Sequence, residues 1–143
     1  MSVKGARQRT GWEEKSFIAR PQILLIDDDV DDLEYTEGIL QKLGCEVSAG
    51  TSFQDGLRNL EGGVWDFVVL SQGGPSFEGR RILESAGNIN RCLPVLVLTS
   101  WHNMRCYLQA MQLGAVDYLE KPVSLWEMAR LLETHLPLHA VAA

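Results

Sequence analysis

One apolar run that halts on a serine constrains this chain more than any other stretch. Phe67, Val68, Val69 and Leu70 form a short continuous apolar block that stops at Ser71 and gives way to Gly73, Gly74 and Pro75 within DFVVLSQGGPSFEG. Such a block is the pattern of a parallel strand covered on both faces, and the glycines and proline forbid further regular structure. In open α/β sheets the ligand crevice lies just beyond the carboxyl ends of the strands. Ser71 is therefore expected where chemistry happens.

Four further segments repeat the pattern, and helical stretches separate them. Ile23 to Ile26 is a buried strand cut off by Asp27, Asp28 and Asp29, and Val30 to Leu43 reads as a helix with Leu33, Leu40 and Leu43 at helical spacing and Gly44 as its stop. Asp29, Asp31, Asp32 and Glu34 crowd its first turn, where the helix dipole favours negative charge. Glu46 to Ala49 is a weaker strand. Ser52 and Asp55 open a helix through Phe53, Leu57 and Leu60, closed by Gly62 and Gly63. After the central strand, Arg80 to Ala86 forms a short helix, and Pro94 to Leu98 is a strand delivering Thr99 and Ser100. The spacing predicts a helix from about Asn103 to Leu113 carrying Tyr107, Leu108 and Met111 on one face and ended by Gly114, then a strand over Val116 to Leu119 that delivers Lys121 and Pro122. Ser124 and Glu127 make a capping box for a last helix with a core stripe of Leu125, Met128, Leu131 and Leu132. Five strands alternating with five helices imply an α/β fold: a doubly wound five-stranded parallel sheet, of which the flavodoxin-like order 2-1-3-4-5 is a common form.

Composition sets the remaining bounds. A chain of 143 residues, 45% hydrophobic and 22% charged, supports one globular core. The net charge of -6 is unevenly placed: Lys4, Arg7, Arg9, Lys15 and Arg20 outweigh Glu13 and Glu14, so the body is more acidic than the total suggests. An acidic body argues against nucleic-acid binding. Residues 1–20 read as a solvated flexible tail, residues 21–137 as the domain and residues 138–143 as a second tail, with contact between the basic arm and an acidic partner as the alternative. Cys45, Cys92 and Cys106 lack C-x-x-C spacing and read as small buried or half-buried thiols rather than a disulfide framework or a metal site. No apolar run approaches the ~18 residues of a membrane span, and no apolar secretory block opens the chain. A cytoplasmic protein is expected.

On this topology the first, third, fourth and fifth strands end at Asp27 and Asp28, Ser71, Thr99 and Lys121, which converge on one crevice. Clustered carboxylates persist only when a cation, a lysine or raised pKa values offset their repulsion. Asp27 and Asp28 suit a hard divalent cation such as Mg2+. Lys121 could neutralise the same cluster or bind a phosphoryl oxygen, and Thr99 could donate a hydrogen bond to one.

These residues carry a family resemblance. From about Gln22 to Leu136 the chain resembles the receiver domain of bacterial response regulators: ILLIDDD matches the acidic pair, DFVVLSQGGPSFEG the acceptor strand and loop, PVLVLTS the hydroxyl-bearing strand and GAVDYLEKP the lysine-proline end. Pro75 and Gly79 stand four and eight residues after Ser71, which fixes the register. The resemblance implies Asp27 and Asp28 as the metal-binding pair, with the Gly73 carbonyl completing the shell. It also implies Thr99 as the switch hydroxyl, Tyr118 as the switch aromatic and Lys121 as the phosphoryl-contacting lysine. In the family an aspartate at the acceptor position is phosphorylated by a histidine kinase. Here Ser71 stands in its place.

A serine hydroxyl is a poor nucleophile without a base or an altered pKa, and losing the carboxylate removes one metal ligand and one negative charge. Aspartyl phosphorylation at position 71 is chemically excluded. The expectation is a stand-alone, non-enzymatic receiver in a two-component or phosphorelay system, working as a phosphorylation-independent interaction module with Mg2+ weakly held or absent. The alternative is phosphotransfer to another side chain, Asp28 or Ser71 itself. An unrelated nucleotide-binding protein finds no support, because neither G-x-G-x-x-G nor a P-loop follows the first strand. By resemblance, the partner is a histidine kinase or another signalling protein, and a homodimer would use the fourth-helix, fifth-strand and fifth-helix face with Cys106, Tyr118 and Trp126. Plainer readings stand beside these: Asp29, Asp31 and Asp32 as dipole complements, Tyr118 as a packed aromatic with a surface hydroxyl, His102 as a solvated loop histidine, and Trp101 packed under the fourth helix.

Overall fold

Successive strand residues point to opposite faces of a sheet, and in this chain both faces are apolar, so both must be covered. The computed structural model describes residues 20–136 and shows how. β1 (Gln22–Ile26), β2 (Glu46–Gly50), β3 (Phe67–Ser71), β4 (Val95–Thr99) and β5 (Asp117–Glu120) form one parallel sheet in the order β2-β1-β3-β4-β5. The helices are α1 (Val30–Lys42), α2 (Phe53–Gly62), α3 (Arg80–Ile89), α4 (Met104–Gln112) and α5 (Leu125–His135). The expected fold is the observed one. The tails expected at 1–20 and 138–143 lie outside the described residues, Arg20 apart.

The core divides by strand parity. Leu24, Ile26, Val68, Leu70, Val95, Val97 and Tyr118 pack with residues of α2, α3 and α4. Ile23, Leu25, Phe67, Val69, Leu96 and Leu98 pack with residues of α1 and α5. β3 and β4 are buried along their whole length, as continuous apolar runs require.

Caps define the helix starts. Asp29, Ser52, Asn103 and Ser124 each accept a hydrogen bond from the backbone N–H three residues on. The reciprocal bond of Glu127 to the Ser124 N–H completes the box at α5. Gly44 and Gly114 follow α1 and α4 with φ of +88° and +98°, a backbone that L side chains rarely adopt.

The outer helices correct several expectations. α4 turns Cys106 and Ala110 to the sheet, with Tyr107 half-buried, while Leu108 and Met111 face outward with Met104. Small residues at 106 and 110 let the helix approach the sheet closely, so the larger side chains are left on the far side. Trp101 is 67% exposed rather than tucked under α4, and its backbone N–H donates to Thr99 Oγ1 at 2.9 Å. In α5, Met128 and Leu132 are buried, Leu131 is partly so and Leu125 is exposed. Cys92 is exposed, whereas Cys45 and Cys106 are buried.

Candidate functional site

Period-two alternation splits the residues at the carboxyl end of the sheet into two groups. Asp27, Ser71 and Lys121 keep the parity of Leu25, Val69 and Leu119 and lie on the side of α1 and α5. Gln72, Thr99 and Tyr118 keep the parity of Leu70 and Val97 and lie on the side of α4. The predicted site residues are therefore brought to one edge, as two separate networks.

The first network is centred on the Lys121 ammonium. Its Nζ lies 3.0 and 2.9 Å from the two carboxylate oxygens of Asp27, 3.1 Å from Asp32 Oδ2 and 3.1 Å from Ser71 Oγ. These oxygens come from the residue after β1, from α1 and from the last residue of β3, so three separate segments satisfy an ammonium that has three protons to donate. Burial disfavours the charged lysine, but the hydrogen bonds and charges of Asp27 and Asp32 outweigh it and hold its pKa above the ordinary value. Asp27 is 1% exposed, and burial pushes its carboxyl up against the opposing pull of the Asp29 N–H and Lys121.

Ser71 is itself buried, and its Oγ accepts hydrogen bonds from Lys121 and from the Gly73 N–H at 3.2 Å. The Asp28 carboxylate lies 3.5 Å away and is exposed. The loop after β3 is shaped by its glycines. Gly73 has φ +86°, and a Cβ there would fall 2.5 Å from the Glu78 carboxylate. That carboxylate is held over the loop by the Ser76 hydroxyl and the Gly74 N–H, and the Ser76 bond leads the effects that lower its pKa. Gly79 approaches the strand so closely that a Cβ would meet the Ser71 carbonyl oxygen at 2.5 Å.

This donor set fits a divalent cation poorly. A hydroxyl stands where a third carboxylate would serve, and both Asp27 oxygens already face an ammonium that an incoming cation would have to displace. Asp28 is the acid left facing solvent beside Ser71. No group of three or more His, Cys, Asp or Glu side chains stands in metal-ligating geometry among the described residues.

The second network runs from β3 to β5. Tyr118 is 4% exposed, with its hydroxyl inside the protein rather than at the surface, and it donates to Gln72 Oε1. Gln72 is fully buried, and its Nε2 donates to the Gly74 carbonyl at 3.0 Å. The Tyr118 ring packs edge-on against Tyr107 and His102, with centroids 5.7 and 5.6 Å away. His102 is thus an exposed loop residue in contact with the tyrosine. Burial raises the Tyr118 pKa, and Thr99 and the Asn103 backbone oppose it. Thr99 is fully buried, with its Oγ1 engaged by the Trp101 N–H.

Two residues of the site do not follow from the motifs. Asp32 reads as a dipole complement, yet it is a direct partner of Lys121. Its place in the first turn of α1, just after the acid pair that ends β1, is the available signal. Gln72 is an amide directly after a buried run, and burial there demands partners.

Comparison with known proteins agrees with this geometry. Residues 23–133 match the family described as response regulator receiver domain. The transcriptional regulatory protein QseB of Escherichia coli O157:H7 is 35% identical over 112 residues, which cover 78% of this chain and 51% of that protein. The chain spans about a quarter to a half of the length of the curated relatives it matches. Among solved structures, a receiver domain protein from Clostridium thermocellum superposes with a TM-score of 0.73 at 28% identity, over 80% of this chain and 93% of that one. A CheY-like receiver domain protein from Methanospirillum hungatei JF-1 gives 0.76 at 23% identity, over 87% and 99%, a likeness of fold. With strand order, acid pair, hydroxyl strand and lysine-proline end all in place, the chain belongs to the response regulator receiver domain family.

Proposed function

We propose that this receiver domain acts in two-component or phosphorelay signalling as a phosphorylation-independent protein-interaction module. The observation that carries the reading is the state of position 71. A hydroxyl is held by Lys121 and Gly73 where the family's acceptor carboxylate would stand, and Lys121 has its other protons on Asp27 and Asp32. A serine cannot form the acyl phosphate through which an aspartate receives and returns a phosphoryl group. Mg2+ is weakly held in this reading, since Asp27 has Lys121 as its counter-ion.

The partner is a signalling protein, a histidine kinase among the candidates, and α4, β5 and α5 form the contact face, also the face for a homodimer. The chain performs no catalysis of its own. The curated relatives are titled transcriptional regulatory proteins, but the net charge of -6 gives this chain no electrostatic footprint for nucleic acid.

Incubation with acetyl phosphate and magnesium followed by intact-mass measurement tests the reading. The expected result is an unmodified chain. A hydroxylamine-labile adduct would show that an aspartate accepts phosphate and would overturn the proposal. A second reading has one observation in its favour: Ser71 Oγ receives two N–H donors and lies 3.5 Å from the Asp28 carboxylate, an arrangement that could stabilise an alkoxide and take its proton. A hydroxylamine-stable seryl adduct would establish it.

A further inference from the structure

We infer that Gln72 is a clamp that holds Tyr118 inward, so that the α4 and β5 surface is presented in one fixed form. This rests on the reading of the chain as a phosphorylation-independent module and supplies its structural cause. Ser71 and Gln72 are consecutive, so they serve opposite sides of the sheet. The ionic network around Lys121 engages the first, and the tyrosine engages the second. Position 71 therefore has no direct bond to Tyr118, whereas its neighbour does.

Gln72 uses both ends of its amide. Oε1 accepts the Tyr118 hydroxyl and Nε2 donates to the Gly74 carbonyl, so one fully buried side chain ties β5 to the loop after β3. A buried amide left unpaired is costly, which keeps both bonds closed. The backbone fixes the amide in turn, because the Gln72 N–H donates to the Leu98 carbonyl at 2.7 Å and its own carbonyl accepts from Gly79 at 3.0 Å. An inward tyrosine places its ring against Tyr107 of α4 and His102 of the preceding loop. Outward rotation would break the Gln72 bond and both aromatic contacts. Gln72 is thus a positioning residue that acts through Tyr118.

Fluorine NMR of the full chain carrying 3-fluorotyrosine reads this directly, since there are three tyrosines and Tyr118→Phe identifies the relevant signal. In the wild type the Tyr118 signal is expected to be unaffected by a soluble gadolinium chelate. Gln72→Met, similar in size but without an acceptor, should raise the exposed population about fivefold, the equivalent of one buried hydrogen bond of roughly 1 kcal/mol. Gln72→Glu keeps an acceptor and should keep Tyr118 protected. Equal protection in Gln72→Met, or loss of protection in both variants, overturns the clamp. Should Gln72→Met fail to fold, Gln72→Glu and the wild-type Overhauser contact between the Gln72 amide and the Tyr118 ring decide; absence of that contact overturns the clamp. Acetyl phosphate and magnesium added to the wild type separate the two claims. A Tyr118 signal that moves on addition refutes phosphorylation independence, while an unresponsive Tyr118 that stays protected in Gln72→Met refutes the clamp alone.

Discussion

Lys121 and Asp27 influence each other's charge, and each contributes stability that is lost as pH rises, in separate pH ranges. The lysine's folded pKa lies above its ordinary value, so its contribution is complete below about pH 10.4 and is lost as pH rises through the folded value. The Asp27 pKa is also raised, so the protonated acid is the form that folding favours; that benefit is complete below about pH 3.9 and disappears as pH climbs through the folded value. Lys121→Met would leave a buried carboxylate with the Asp29 N–H as its remaining strong partner. The expected loss is about 3 kcal/mol at pH 7 and should shrink as pH falls and the carboxyl, its pKa raised by burial, takes up its proton. Urea denaturation of both at pH 4, 7 and 10.5 measures it, and the variant should also lack the wild type's alkaline decline. A deficit independent of pH would assign the loss to packing. Gly79 sets the other residue-scale limit. Alanine there would press a methyl group on the Ser71 carbonyl, which β3 cannot move, and should cost about 2–3 kcal/mol by chemical denaturation.

Elements are held by caps and parity, and at this scale the sequence is most readable. Short apolar runs ending in small or acidic residues give five strands, and Ser52 and Ser124 announce helix starts by residue type and spacing. The inward face of α4 is harder to read, because side-chain volume is a misleading signal there. Leu108 and Met111 fit a helical stripe as well as Cys106 and Ala110 do, and only the closeness of helix and sheet chooses the smaller pair. α1 offers a test of the same idea. Gly38 lies mid-helix, and a Cβ added to it would meet nothing within 4 Å. Gly38→Ala should therefore stabilise the protein by about 0.5–1 kcal/mol through helix propensity, read as a higher urea midpoint at unchanged slope. A destabilised variant would mean that the space beside α1 is needed by a neighbour.

At the scale of the whole molecule, topology is legible because alternating strands and helices admit few arrangements, and the converging strand ends then locate Asp27, Asp28, Ser71, Thr99 and Lys121. Side-chain pairing is what the sequence hides. Asp32 resembles its acidic neighbours until Lys121 is placed beside it, and Gln72 becomes meaningful only once Tyr118 is seen to turn inward. Whether the edge still recognises a divalent cation can be read from global stability, since a ligand that binds only the folded state stabilises it by RT ln(1 + [L]/Kd). With Ser71 and an ammonium on Asp27, magnesium at millimolar levels should leave the Tm of this protein unchanged. Ser71→Asp restores a third carboxylate beside Asp27 and Asp28 and gives Lys121 a competing anion. At a magnesium concentration about tenfold above its Kd, that variant should gain about 1.4 kcal/mol, roughly 3–6 °C in Tm, and should become reactive to acetyl phosphate. A magnesium shift of that size in the unmodified protein would mean that Lys121 yields Asp27 readily. No shift in Ser71→Asp would mean that the Lys121, Asp27 and Asp32 network excludes the cation by itself.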